Sequence, residues 1–242
     1  MKFIKHPKNP EKGFWIPDAD TSAERKFSCL NAWDDDFLPL HQIEAQKAAL
    51  AACKNFRVAF DLGAHVGYWS TQLAKKFSVV YAFEPVPEHV ECLRMNLPNS
   101  FMISTSSPIS RMAKGVVIHP VALGNEDGLV HVGGTPEYSV KARVIDGVNG
   151  SMPARRLDGF GYEESLPCID FMKIDCEEYE YFVLLGGEKT IRKHKPVICI
   201  EQVKGREGWY GFKHGAALDL LKSWGYKELS CVKDHDYIMV NK

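Results

Sequence analysis

The chain lacks the marks of several large protein classes. Its 242 residues carry 30 lysines plus arginines against 31 aspartates plus glutamates. The resulting net charge of -1 supplies no long-range field to gather nucleic acid or an anionic membrane surface. Neither a nucleic-acid partner nor a membrane partner is therefore expected. No run approaches the roughly 18 consecutive apolar residues of a spanning helix, and the start has no apolar signal-peptide core. These two absences predict a cytoplasmic location. The seven cysteines (Cys29, Cys53, Cys92, Cys168, Cys176, Cys199, Cys231) are odd in number and include no C-x-x-C pair. They read as reduced, mostly buried thiols, with neither a zinc site nor a disulfide frame implied. In "MKFIKHPKNPEKG" the lysines stand among prolines and a glycine, which predicts a solvated, poorly ordered terminus.

What is present is ordinary for a globular chain, with 45% hydrophobic and 25% charged residues, enough for one substantial core. Strand and helix patterns alternate. Phe56 to Asp61 reads as a strand, Tyr68 to Lys76 as a helix, "SVVYAF" as a strand and Pro87 to Asn96 as a helix. "VVIHPVALG" gives a third strand and turn. The pattern returns with "IDFMKID", a helix over Tyr179 to Lys193, the strand "PVICIE" and a helix over Gly215 to Trp224. Strands this continuously apolar are covered on both faces, as in a parallel sheet. Tyr226 to Val232 and Tyr237 to Asn241, joined by "KDHD", suggest a closing hairpin with one antiparallel strand. Pro39 marks the start of a helix packed before the first strand. The expected organisation is a single domain: an N-terminal extension over residues 1–55, then an α/β domain over 56–242 with an insertion at about 133–166.

The stretch "VAFDLGAHVGYWS" ends a strand on Asp61, turns through Gly63 and Gly67 and resumes as a helix. A phosphate-gripping loop needs G-x-x-x-x-G-K-[ST], which is absent. A nicotinamide or flavin site needs a middle glycine where this chain has His65. The remaining D-x-G-x-x-x-G suits a ligand without phosphates whose amino-acid end lies along the turn. Glu84, in "YAFEP", ends the second strand and is placed to accept the two hydroxyls of a ribose. Adenosine, ribose and an amino-acid tail together describe S-adenosylmethionine.

The blocks "VAFDLGAHVGYWS", "VYAFEPVPEHVECLRMNL", "HPVALGNEDG", "RRLDGF" and "DFMKIDCEEYEYFVLLGGEKTIRKHKPVICIEQ" resemble, in that order, those of the FkbM-type S-adenosylmethionine-dependent methyltransferases. The resemblance covers Phe56 to Gln202, and the K-I-D-x-E block is its most specific part. It implies the Rossmann-like class I methyltransferase fold: a seven-stranded, mostly parallel sheet with helices on both faces and a C-terminal antiparallel hairpin strand. It also implies O-methylation, often of sugar or natural-product hydroxyls. His65 stands where the family usually has asparagine, and Glu178 where it usually has glycine.

From resemblance and position, Asp61, Gly63, His65, Gly67 and Tyr68 are expected at the methionine end of the cofactor. Glu84 is expected at the ribose, and Pro85, Val86 and Ala122 at the adenine. Asp175 and Glu177 follow the fourth strand and Glu201 ends the fifth, so they are candidates for a base, for acceptors of a substrate hydroxyl, or for ligands of a hard cation such as magnesium. Trp209 and Tyr210, in the loop "REGWYGFKHG", are candidates for stacking on a sugar or ring. The expected activity is methyl transfer to a hydroxyl of a sugar, glycan or other small molecule. The alternatives are a non-catalytic S-adenosylmethionine-binding module and a nicotinamide-dependent oxidoreductase.

Overall fold

A computed structural model describes residues 1–103, 115–133, 143–145, 150–205 and 210–241. The first segment differs from expectation. Strands β1 (Lys2–His6) and β2 (Asn9–Ile16) form an antiparallel hairpin. The lysines mask an apolar pattern: Ile4, Phe14 and Ile16 are buried in one cluster with Phe27, Trp33 and Tyr68. Helix α1 (Thr21–Lys26) follows, capped by Asp20, whose side chain accepts from the Ala23 N–H at 2.8 Å. Pro39 does not start a helix. It bridges to Trp33, and helix α2 (Ile43–Ala52) begins later, packing against the far half of the main sheet.

The expected alternation then appears as β3 (Val58–Leu62), α3 (Tyr68–Ala74), β4 (Val79–Phe83), α4 (Pro87–Asn96), β5 (Phe101–Met102) and β6 (Gly115–His119). Of the serine-rich stretch before β6, residues 104–114 lie outside the described residues. Strands β7 (Ala122–Leu123), β8 (Gly128–Gly133), β9 (Arg143–Ile145) and β10 (Met152–Arg155) make a small second sheet in the order β7-β10-β8-β9. Helix α5 (Tyr162–Ser165) leads to β11 (Phe171–Ile174).

One helix was expected next, but Gly187 divides it into α6 (Glu180–Gly186) and α7 (Glu188–His194). The preceding Gly186 has no room for a side chain, since a Cβ would lie 1.9 Å from the Gly124 carbonyl oxygen. The chain ends with β12 (Val197–Glu201), α8 (Ala216–Ser223), β13 (Tyr226–Val232) and β14 (Asp236–Asn241).

Among the described residues the main sheet runs β13-β14-β12-β11-β3-β4-β6-β5. Every pairing from β12 to β5 is parallel, and β14 is antiparallel to both its neighbours. All positions of β3 and β4 are buried, as a sheet covered on both faces requires. Alternate residues serve opposite cores. Phe60, Tyr81 and Phe83 pack with apolar residues of α6, α7 and α8, while Ala59, Val80 and Ala82 pack with those of α2, α3 and α4. Chain order reverses between β3 and β11, which opens a crevice beyond their carboxyl ends. Among the described residues, no helix is long and apolar enough to cross a membrane.

Candidate functional site

The glycine turn sits at that crevice. Gly63 has φ +84, and a Cβ there would lie 1.8 Å from the Asp175 carbonyl oxygen. Only glycine lets the turn after β3 press against the turn after β11. The Gly63 and Ala64 N–H groups donate to the Phe83 carbonyl at 3.0 and 2.9 Å, fixing this turn to the end of β4. Gly67 serves packing instead. Its φ is +98, and a Cβ would come 2.7 Å from Leu93 Cδ1, so it sets the approach of α3 to α4 and does not line the crevice. Asp61 is buried and accepts a 2.6 Å hydrogen bond from Ser70 Oγ. Burial pushes its carboxyl up to about 6.

Glu84 ties the two turns together. Its Oε2 accepts from the His65 N–H at 2.8 Å, and its Oε1 accepts from the Val86 N–H at 2.9 Å and lies 3.2 Å from His89 Nδ1. A carboxylate offers about four acceptor sites, so capacity for a further donor remains. His65 holds the left-handed backbone at φ 51, and its ring meets that of His89 edge-on at 4.3 Å.

The ends of β11 and β12 carry the acids. Lys173 is 1% exposed and its Nζ donates to Asp175 Oδ2 at 2.7 Å, while lying 5.3 Å from the Trp69 ring centre. Trp69 Nε1 donates to Gln42 Oε1 at 2.5 Å, and Gln42 Nε2 donates to Glu201 Oε1 at 3.4 Å. Carboxylate oxygens of Asp175, Glu177 and Glu201 lie within 4.8 Å of one another. Burial raises the pKa of Asp175, but Lys173 outweighs it and holds this carboxyl below its usual range. Burial, and then the charge of Asp175, pushes Glu201 well above the carboxylate range. Burial works against the Lys173 ammonium, yet Asp175 and the neighbouring acids keep it charged. The two carboxyls titrate as a coupled pair, in which Lys173 favours ionisation at Asp175 and burial favours the protonated form at Glu201.

These groups converge on a cavity of about 430 Å³, a size suited to a small-molecule ligand. Asp61, Gly63, His65, Tyr68 and Glu84 line it, as do Pro85, Val86 and Ala122. Asp175, Glu177 and Glu201 line it as well. Tyr210 does not: its hydroxyl donates to the Val144 carbonyl at 2.5 Å and its ring packs on Tyr179 at 5.1 Å. Trp209 lies outside the described residues.

Sequence reasoning gave no role to Lys173, Gln42, His41, Lys26, Lys233 or His235, which also line the cavity. Lys173 had left a signal. A charged residue inside a strand apolar on both faces needs a buried partner. The other five come from the N-terminal segment and the β13–β14 turn, brought in only by tertiary folding.

The mostly parallel sheet in this strand order has the class I methyltransferase fold, with a glycine turn and an acid at its first two carboxyl ends. The model of the family described as methyltransferase FkbM domain matches residues 61–228. The chain belongs to this family of S-adenosylmethionine-dependent methyltransferases. No match was found among curated proteins.

Among solved structures, it is similar to methyltransferase FkbM from Methylobacillus flagellatus KT, with 17% identity, TM-score 0.47, and 76% of this chain and 43% of that one covered. Trm5b from Pyrococcus abyssi gives 18% identity and TM-score 0.40, with 82% and 47% covered. A precorrin-6y C5,15-methyltransferase from Geobacter metallireducens GS-15 gives 18% identity and TM-score 0.47, with 86% and 95% covered. The chain thus spans less than half the length of the first two.

Proposed function

We propose that this protein transfers the methyl group of S-adenosylmethionine to a hydroxyl oxygen of a sugar, glycan or other small molecule. The observation that carries the reading is the convergence of Asp175, Glu177 and Glu201, with carboxylate oxygens within 4.8 Å of one another, in the cavity that Asp61 and Glu84 also line. In this reading the methionine end of the cofactor lies along Asp61 and the Gly63 turn. The ribose meets Glu84, and the adenine meets Pro85, Val86 and Ala122.

The sulfonium already carries the activation of its leaving group, so positioning and exclusion of water supply much of the catalysis. The acceptor hydroxyl donates its hydrogen bond to the ionised Asp175. As the C–O bond forms and the C–S bond breaks, the oxygen becomes acidic, and its proton passes to that carboxylate. Neutral S-adenosylhomocysteine and the methyl ether remain. Lys173 keeps Asp175 ionised beforehand, and Gln42 orients Glu201. An all-oxygen set of Asp175, Glu177 and Glu201 matches the taste of magnesium. The Lys173 ammonium, 2.7 Å from Asp175, already supplies the counter-charge, so we assign metal-independent chemistry to the site.

Labelled-methyl transfer onto a panel of hydroxylated acceptors tests this. Asp175→Asn and Glu201→Gln are expected to leave cofactor affinity near normal while lowering turnover about 10²- to 10⁴-fold, with wild-type activity unchanged by chelator. Full activity of the double variant would move the chemistry elsewhere. Activity lost with chelator and restored by magnesium would make the acids metal ligands.

A further inference from the structure

The cavity rim carries a second set of groups with the opposite character. Lys26, in the last turn of α1, lines the cavity, and its Nζ lies 2.9 Å from His41 Nδ1. A lysine ammonium only donates, so Nδ1 accepts and the remaining proton of His41 sits on Nε2. Burial and the charge of Lys26 push His41 down to about 3, which keeps the ring neutral. Lys233 lines the same cavity from the β13–β14 turn, where Lys233 and Asp234 both hold left-handed backbone at φ 52 and 61. These are the two central residues of the tight hairpin turn, closed by the His235 N–H donating to the Val232 carbonyl at 3.3 Å.

Among the described residues, neither Lys26 nor Lys233 has a carboxylate within ion-pair distance. Burial and then the charge of Lys233 lower the pKa of Lys26, as expected for like charges that share a partly enclosed space. His235, beside them on the cavity wall, lies 3.6 Å from the buried Asp236.

The residues assigned to cofactor and proton transfer all lie within the family match over 61–228. Lys26, His41, Lys233 and His235 all lie outside it.

We propose that the methyl acceptor carries an anionic group, a carboxylate or a phosphate, held at the cavity rim by Lys26 and Lys233 with His41 as a neutral donor. The inference rests on the methyltransferase reading for the identity of the ligand as acceptor. The acceptor then has two ends. A hydroxyl reaches the Asp175–Glu201 pair at the strand ends, and an anion stays at the rim between the two lysines. A sugar acid, a sugar phosphate or a hydroxy acid has this form, and a neutral polyol does not.

Calorimetry on the wild-type chain preloaded with S-adenosylhomocysteine, using inorganic phosphate, D-glucuronate and D-glucose as probes, tests the proposal. At least one of the two anions is expected to bind, glucose is not, and the preference between phosphate and glucuronate tells the two chemistries apart. In Lys26→Gln, Lys233→Gln the anion affinity should fall by about 10- to 100-fold, the size of a lost charge-assisted hydrogen bond or two. Both side chains are exposed, so the variant should fold, and circular dichroism checks that it does.

Failure of both anions to bind the wild type, or equal binding by the double variant, would overturn the anion site. S-adenosylhomocysteine affinity is read in the same samples. Its loss with anion binding intact would remove the methyltransferase reading alone. Its presence with anions ignored would remove this inference alone.

Discussion

Glu180 shows how one buried acid shapes the site without lining it. It is 1% exposed; its Oε1 accepts from the Cys176 and Glu178 N–H groups at 2.8 and 3.1 Å, and its Oε2 accepts from Gln202 Nε2 at 3.1 Å. Those bonds clamp the turn in which Glu177 and Glu178 stand at φ 53 and 75, ahead of α6 and not in its first turn. Burial, and then the charge of Asp175, raises the Glu180 carboxyl to about 8 from an ordinary 4.5. An acid raised in the folded state holds its proton more tightly there than in the unfolded chain. Its contribution to stability is thus complete below pH 4.5 and lost as the pH climbs through 8. Glu180→Gln keeps a carbonyl acceptor and cannot titrate. Denaturation across this window should show wild-type stability falling faster than that of the variant, with the difference approaching about 1.4 kcal/mol per pH unit. Parallel curves would mean that Glu180 is charged in the folded protein.

The elements divide the glycines into two kinds of work. Gly63 permits contact between two backbone turns, whereas Gly67 permits a helix to approach the end of a movable leucine side chain. Both positions have positive φ, so alanine is strained at either. The Gly63 obstacle, a backbone carbonyl of the turn after β11, cannot step aside. Gly63→Ala is accordingly expected to destabilise by about 3 kcal/mol or more, and Gly67→Ala by about 1 to 2 kcal/mol. Urea denaturation of the two variants checks the order. Equal losses would show that backbone conformation alone, and not the contact with Asp175, sets the requirement. The pattern D-x-G-x-x-x-G made both glycines visible in the sequence, but their different duties depend on Asp175 and Leu93, which spacing along the chain does not reveal.

At the scale of the molecule, the sheet and its cofactor-side crevice were legible because they follow from local rules. Apolar runs of five residues, turns ending on Asp61 and Glu84, and helix patterns between them fix a parallel sheet and its carboxyl-end crevice. The N-terminal hairpin was not legible, since its buried Phe14 and Ile16 stand after a run of lysines and prolines that reads as solvated chain. The rim of the cavity escaped for a related reason. Lys26, His41, Gln42 and Lys233 carry no motif, and they meet only after the chain's two ends fold against the crevice.

The proposed activity requires this crevice to be the S-adenosylmethionine site, with Glu84 at the ribose. Calorimetric titration of the wild-type chain and of folded Glu84→Ala with S-adenosylmethionine measures that most directly. Binding by the wild type is expected, with a dissociation constant about 5- to 150-fold higher in the variant, the equivalent of 1 to 3 kcal/mol for a lost charged acceptor. No binding by the wild type, or unchanged affinity in the variant, would contradict this assignment.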